Sequence, residues 1–131
     1  MKYLTDYTEA KQTALFTKLG VFFAFSPKQF EEGKNPAVKK YIATGGGMCV
    51  PKEHYQELAE TLPKIHAAAI AEDLADNGKE GVIKRELDNH EAYYTWEIDA
   101  TLDALEGYPI TKEEVQAVFN KESSRRLAEA V

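Results

Sequence analysis

Val21-Phe22-Phe23-Ala24-Phe25-Ser26-Pro27-Lys28-Gln29 is the stretch that separates an α+β chain from an all-helical one. Its apolar, largely aromatic first half stands between Gly20 and Ser26 and is too short for a helix, so it reads as a buried strand. Ser26-Pro27-Lys28-Gln29 then has the form of a capping box with proline at the first helical position, opening a short helix that ends near Gly33. Downstream, Lys40-Tyr41-Ile42-Ala43-Thr44 and Met48-Cys49-Val50 read as strand pieces joined through Gly45-Gly46-Gly47, and Pro51 closes the segment. Upstream, Thr8–Leu19 reads as a helix with Ala10, Ala14, Leu15 and Leu19 on one side and Gly20 as its stop.

From Lys52 the pattern is helical to the end. A helix over about Lys52–Glu60 meets Leu62-Pro63, a kink or a new start. The next covers Lys64–Ala75, where Ala67, Ala68 and Ala69 permit close helix–helix approach, and Asp76-Asn77-Gly78 stops it. A third spans about Lys79–Tyr94, with Val82, Ile83, Leu87 and Ala92 as core contacts. Thr95 is expected to cap a fourth, Trp96–Leu105, carrying Ile98, Leu102 and Leu105. Gly107-Tyr108-Pro109 breaks it, as any pair of antiparallel helices needs. Thr111-Lys112-Glu113-Glu114 is a second capping box, opening a last helix with Val115, Val118 and Phe119. Its tail, Ser123–Val131, is expected to fray. The expected fold is α+β and mainly helical. A small two- or three-stranded antiparallel sheet (residues 21–50) packs on five or six helices within a single domain, 1–131, the C-terminal helices covering the sheet.

Composition bounds what such a domain does. The chain has 131 residues, 44% of them hydrophobic and 29% charged, which is ordinary globular usage. One cysteine, Cys49, rules out an intramolecular disulfide and a zinc site built on cysteines. The start of the chain lacks the apolar core of a signal peptide, and the longest unbroken apolar run, Val21 to Phe25, is far too short to span a membrane. A cytoplasmic protein with no membrane association is expected. The net charge of -6 is unevenly spread: residues 1–51 hold seven Lys/Arg against four Asp/Glu, and residues 52–110 hold five against fourteen. The acidic middle disfavours nucleic acid as a partner, apart from a small basic patch near Lys34, Lys39 and Lys40. An acidic face is suited to a basic protein surface.

The densest chemistry is Asn89-His90-Glu91-Ala92-Tyr93-Tyr94-Thr95. His90 beside Glu86 or Glu91 offers a base and an orienting carboxylate, and Tyr93 or Tyr94 a proton donor. No nucleophile has a recognisable setting, so a structural junction is the stronger alternative to catalysis. In that arrangement Tyr94 and Trp96 bury their rings while Asn89 and His90 satisfy backbone groups at the helix end. His54, His66 and His90 lie on three different predicted helices without the i, i+4 spacing that places two rings on one face, so no metal and no cofactor are expected. Gly45-Gly46-Gly47 lacks the Lys-Ser/Thr of a P-loop and reads as a hairpin turn.

Phe22-Phe23-Ala24-Phe25-Ser26 with Gln29-Phe30, Asn77-Gly78-Lys79-Glu80, the Asn89–Thr95 cluster and Thr111-Lys112-Glu113-Glu114-Val115 together resemble a family of small uncharacterised proteins. That family is found in bacteria, often gut-associated, and in their phages and mobile elements. The resemblance covers roughly residues 20–120 and brings no activity and no functional residues. It implies an accessory or regulatory role exercised by binding a host protein, for example as an inhibitor of a nucleic-acid-binding or defence factor. The expected binding residues are Glu86, Asn89, His90, Glu91, Tyr93 and Tyr94. The competing readings are a small hydrolase-like or metal-binding protein using His90 with Glu86 or Glu91, and a homodimer formed through Val21–Phe25 or the hairpin edge.

Overall fold

The computed structural model describes residues 2–130. The chain forms two compact units: Thr5–Ala68, and a second built from the first residues, to Leu4, with everything from Ala69 onward. Among the described residues there are six α-helices and three strands, and no helix is long and apolar enough to cross a membrane. The class is α+β, mainly helical, with a small antiparallel sheet.

In the Thr5–Ala68 unit, α1 (Leu4–Leu19) starts four residues earlier than its apolar pattern suggests, because Thr8 lies inside it, its hydroxyl donating back to Thr5 O at 3.3 Å. The sheet follows as β1 (Phe22–Phe23), β2 (Tyr41–Ala43) and β3 (Met48–Pro51), in the order β1-β3-β2. All pairings are antiparallel, with Phe22 opposite Cys49 and Tyr41 opposite Pro51. Side chains alternate across the sheet. Ile42, Met48 and Val50 face a core made with Leu15, Leu19 and Leu58. Phe22 and Tyr41 meet Phe30 of α2 (Pro27–Gly33) with ring centroids 5.3–5.8 Å apart. Glycine is required at Gly33, where a Cβ would stand 2.5 Å from the Phe22 ring. The Ser26 hydroxyl accepts from Gln29 N at 3.2 Å, and the Gln29 side chain accepts from Phe25 N at 2.7 Å, one residue earlier than a standard box. Gly45–Gly47 is a short 3-10 turn joining β2 to β3. Cover for the sheet comes from α1 and the start of α3 (Tyr55–Asn89), whereas the buried residues of the C-terminal helices belong to the other core. Ala10 and Ala14 are exposed, so α1 buries a narrower stripe than expected.

Backbone dihedrals stay helical through Pro63, whose ring fixes φ at a helical value, and the interruption within α3 falls at Gly78, with φ 71° and ψ 162°. In the second unit this break has a visible consequence. Asp73 and Arg85, twelve residues apart, bond at 2.7 Å. A straight helix would separate them by about 18 Å, so the chain must turn back on itself at Gly78. Beyond the turn, α3 lies alongside α6 (Lys112–Ala130) and in the same direction. Ion pairs Lys79–Glu114, Lys84–Glu122 and Asp88–Arg126, at 3.0, 3.2 and 3.0 Å, mark the seam. Val82, Ile83, Leu87, Ala92, Ile98, Leu105, Val115 and Phe119 fill the core beneath it. Thr111 and Glu114 form a reciprocal capping box at 3.1 and 2.9 Å, and α6 runs on to Ala130.

Gly78 occupies a backbone region that is essentially closed to residues with a Cβ, where strain costs about 1–3 kcal/mol. Gly78→Ala should therefore lower unfolding free energy by about that amount in a denaturant titration, although no side chain lies within 4 Å of the added methyl. An unchanged midpoint would show that the turn does not need glycine.

Candidate functional site

The surface around residues 86–99 is held from beneath by a buried polar network in the second unit. Asp73 is fully buried and Arg85 and Tyr108 nearly so. The Arg85 guanidinium donates to both Asp73 oxygens, at 2.7 and 2.9 Å, and Asn77 and the Tyr108 hydroxyl donate to the same carboxylate. Arg85 also reaches the Lys2 carbonyl at 3.0 Å and Glu86 Oε1 at 3.1 Å. Burial would push the Asp73 carboxyl up, but the donors from Arg85, Tyr108 and Asn77 outweigh it and hold it below its ordinary value. Burial and the Asp73 charge push the Tyr108 phenol up. The Arg85 guanidinium is raised, its hydrogen bonds to Asp73 overcoming its desolvation.

From this base the chain leaves α3 through two hydrogen bonds, His90 N to Glu86 O and Glu91 N to Asp88 O, both 3.1 Å. The Thr101 hydroxyl, fully buried, also donates to Glu86 O, at 3.4 Å. Glu91 takes a left-handed conformation, φ 54°, and a single turn, α4 (Ala92–Thr95), follows. Trp96 is left-handed again, φ 60°, a rare state for a bulky residue. The expected helix over Trp96–Leu105 is accordingly shorter: α5 covers Asp99–Ala104. Thr95 does not cap it, because its hydroxyl accepts from Glu97 N at 3.2 Å, closing a local turn.

This geometry sorts the residues singled out from the sequence. Ala92 is buried in the core and Tyr93 half-buried, its ring stacked on Phe119 at 5.5 Å with the Arg126 guanidinium 3.9 Å from its centroid. Asn89 and Glu91 are exposed. Tyr94 is 87% exposed and Trp96 62%. The expectation that these two rings fill the junction is therefore overturned: Ala92 and Tyr93 take the inner positions, and the left-handed backbone at Trp96 takes that ring off the face Ala92 buries. Trp96 only leans an edge on Phe119, with centroids 5.6 Å apart. Glu86 is buried, with Oε1 on Arg85 and Oε2 3.5 Å from His90 Nε2. That nitrogen is buried without a hydrogen bond, and its contact is an ion pair only when the ring is protonated. Among the described residues, no three His, Cys, Asp or Glu side chains are grouped to hold a metal ion. The nearby cleft of about 470 Å³ is lined by Lys84, Asp88, Tyr93, Lys121, Glu122, Arg125 and Arg126. Trp96 was not singled out as a binding residue, since a tryptophan beside Ile98 reads as core until its backbone conformation is known.

Removing one partner of a buried, hydrogen-bonded charge pair typically costs about 3–5 kcal/mol, so Asp73→Ala should lose that much in chemical unfolding and Tyr108→Phe less. The pH dependence has a fixed sign. Asp73 is lowered from 3.8 in the folded state, so its stabilisation is present above pH 3.8 and is lost as pH falls through the folded value. Tyr108 is raised from 10.0, so its stabilisation is present below pH 10.0 and is lost in stronger alkali. Melting temperatures of wild type and Tyr108→Phe should converge only at the alkaline end. Parallel curves across that range would refute the assignment.

Comparison with known proteins adds a family and no activity. No curated protein and no solved structure matches the chain. A family model matches residues 4–125, nearly the whole chain, and the protein therefore belongs to that family, a family of unknown function designated DUF7659.

Proposed function

We propose that this protein is a cytoplasmic accessory or regulatory factor that acts by binding a basic protein partner. In the setting implied by its sequence motifs, that partner is a host protein met by a bacterial, phage or mobile-element factor. The observation that carries the reading is the exposure of Tyr94 and Trp96 on a short turn held in left-handed backbone. Solvent-exposed aromatics of this size are favoured anchors in protein interfaces. Backbone strain of this kind persists where the surroundings over-determine it, often at functional sites. Charge supports the choice of partner. Between Arg85 and Lys112 the chain has seven Asp/Glu (Glu86, Asp88, Glu91, Glu97, Asp99, Asp103 and Glu106) and no Lys or Arg. Glu86 is buried against Arg85 and Asp88 pairs with Arg126, but the other five are exposed without an ion pair among the described residues, so the field around Tyr94 and Trp96 favours association with a positive surface. Asn89, Glu91, Tyr93 and Tyr94 contact the partner in this reading, while Glu86 and His90 position the turn from behind.

A second reading rests on His90 Nε2, buried without a hydrogen bond beside Glu86. It makes the pair a small hydrolase-like or metal-binding centre, and metal bound by wild type but not by His90→Gln would favour it.

Affinity capture from host cytoplasm, with Tyr94→Ala and Trp96→Gly as comparators, tests the binding reading. Trp96→Gly removes the ring and relieves a left-handed conformation that costs about 1–2 kcal/mol, so its stability should stay near that of wild type. A partner captured stoichiometrically by wild type should be lost in both variants, each substitution costing about 2 kcal/mol or more of binding free energy. Retention of the partner by both would remove this surface from the interaction.

A further inference from the structure

We infer that the Thr5–Ala68 unit carries a binding site for a compact polyanion, of the phosphate or pyrophosphate class, between Lys39, Lys40 and Lys52. Three observations converge. The first is an opposed pair of like charges. The Lys52 N–H donates to Lys40 O at 3.0 Å, continuing by one step the register that sets Tyr41 opposite Pro51. Lys40 and Lys52, both exposed, thus stand opposite each other at the end of the β2–β3 ladder, and like charges placed directly opposite destabilise an antiparallel pair. Secondly, none of the three is neutralised. Among the described residues, no carboxylate lies within ion-pair distance of Lys39, Lys40 or Lys52, whereas Lys18 and Lys34 of the same unit hold Glu57 and Glu31 at 3.2 and 2.8 Å. Thirdly, the three surround a cleft of about 560 Å³, whose other walls are Ala37, Val38 and Glu53. Glu53 is directed to His54 Nε2 at 3.7 Å. The 3-10 turn Lys52–His54 leads directly into α3.

Charge economy selects a compact ligand over a nucleic acid. A strand of DNA or RNA needs a track of basic contacts, and three lysines in a chain of net charge -6 form a point, not a track.

Isothermal titration of the full chain with pyrophosphate at low ionic strength, over wild type, Lys40→Gln, Lys52→Gln and the remote controls Lys28→Gln and Lys64→Gln, tests this. One saturable site per chain is expected. Its affinity should fall about tenfold or more on losing Lys40 or Lys52, the scale of a charge-assisted hydrogen bond, and little in the controls. Without ligand, Lys40→Gln should melt at or above the wild-type temperature, because it relieves the opposed pair, and this separates loss of the site from loss of the fold. Absence of saturable binding would overturn the proposal. So would equal weakening by the control substitutions, or tighter binding of a single-stranded oligonucleotide than of pyrophosphate.

Discussion

Four hydrogen bonds converge on the Asp73 carboxylate, two from Arg85 and one each from Asn77 and Tyr108. The arrangement of the second unit depends on them. A carboxylate with no exposure to water is tolerable only when its charge is matched and its lone pairs are used. Meeting that demand brings together the helix before Gly78, the helix after it, the turn before α6 and the Lys2 carbonyl. Apolar packing of Val82, Leu87, Val115 and Phe119 supplies the driving force but is indifferent to small slips. The ion pair tolerates none, because a displaced partner leaves a buried charge.

Legibility of the sequence follows the range of each interaction. Ser26, Thr111 and Asp76-Asn77-Gly78 were readable as helix boundaries because caps and stops act over three or four residues. The core positions Val82, Ile83, Leu87, Val115 and Phe119 were readable because period 3.6 is a local property. Asp73, Arg85 and Tyr108 were not, since their partners lie twelve and thirty-five residues away and each looks like an ordinary surface or turn residue in isolation. The surface cluster was located but its orientation was not. Tyr94 and Trp96 are pointed outward by left-handed backbone at Glu91 and Trp96, a choice that local propensity argues against.

Charge divides between the two units. The unit containing residues 69–131 and the first four residues holds fifteen Asp/Glu against eight Lys/Arg, whereas Thr5–Ala68 holds seven against eight. Within the acidic unit the excess is not spread evenly. The seam between α3 and α6 is neutralised pair by pair, as at Lys84–Glu122 and Arg126–Asp88. The uncompensated carboxylates, Glu91, Glu97, Asp99, Asp103 and Glu106, lie in the crossover between the two helices. Exposed pairs such as Arg126–Asp88 contribute little stability individually, and the neutralised seam leaves the crossover as the region of concentrated negative charge.

That crossover is also the part of the unit whose backbone is most constrained from below. The Glu86 carbonyl accepts from both His90 N and the Thr101 hydroxyl, and Ala92 has no exposed surface. Tyr93 is clamped between Phe119 and Arg126 by stacking and cation–π contact. An exposed aromatic on a loose loop would have to be ordered on association, at about 0.5–1.5 kcal/mol for each immobilised side chain and more for the backbone. Here the backbone portion is met during folding, by the same network that holds Asp73. The consequence is directional: damage to the Asp73 network should weaken any association at Tyr94 and Trp96, whereas substitutions at those two rings need not disturb the network at all.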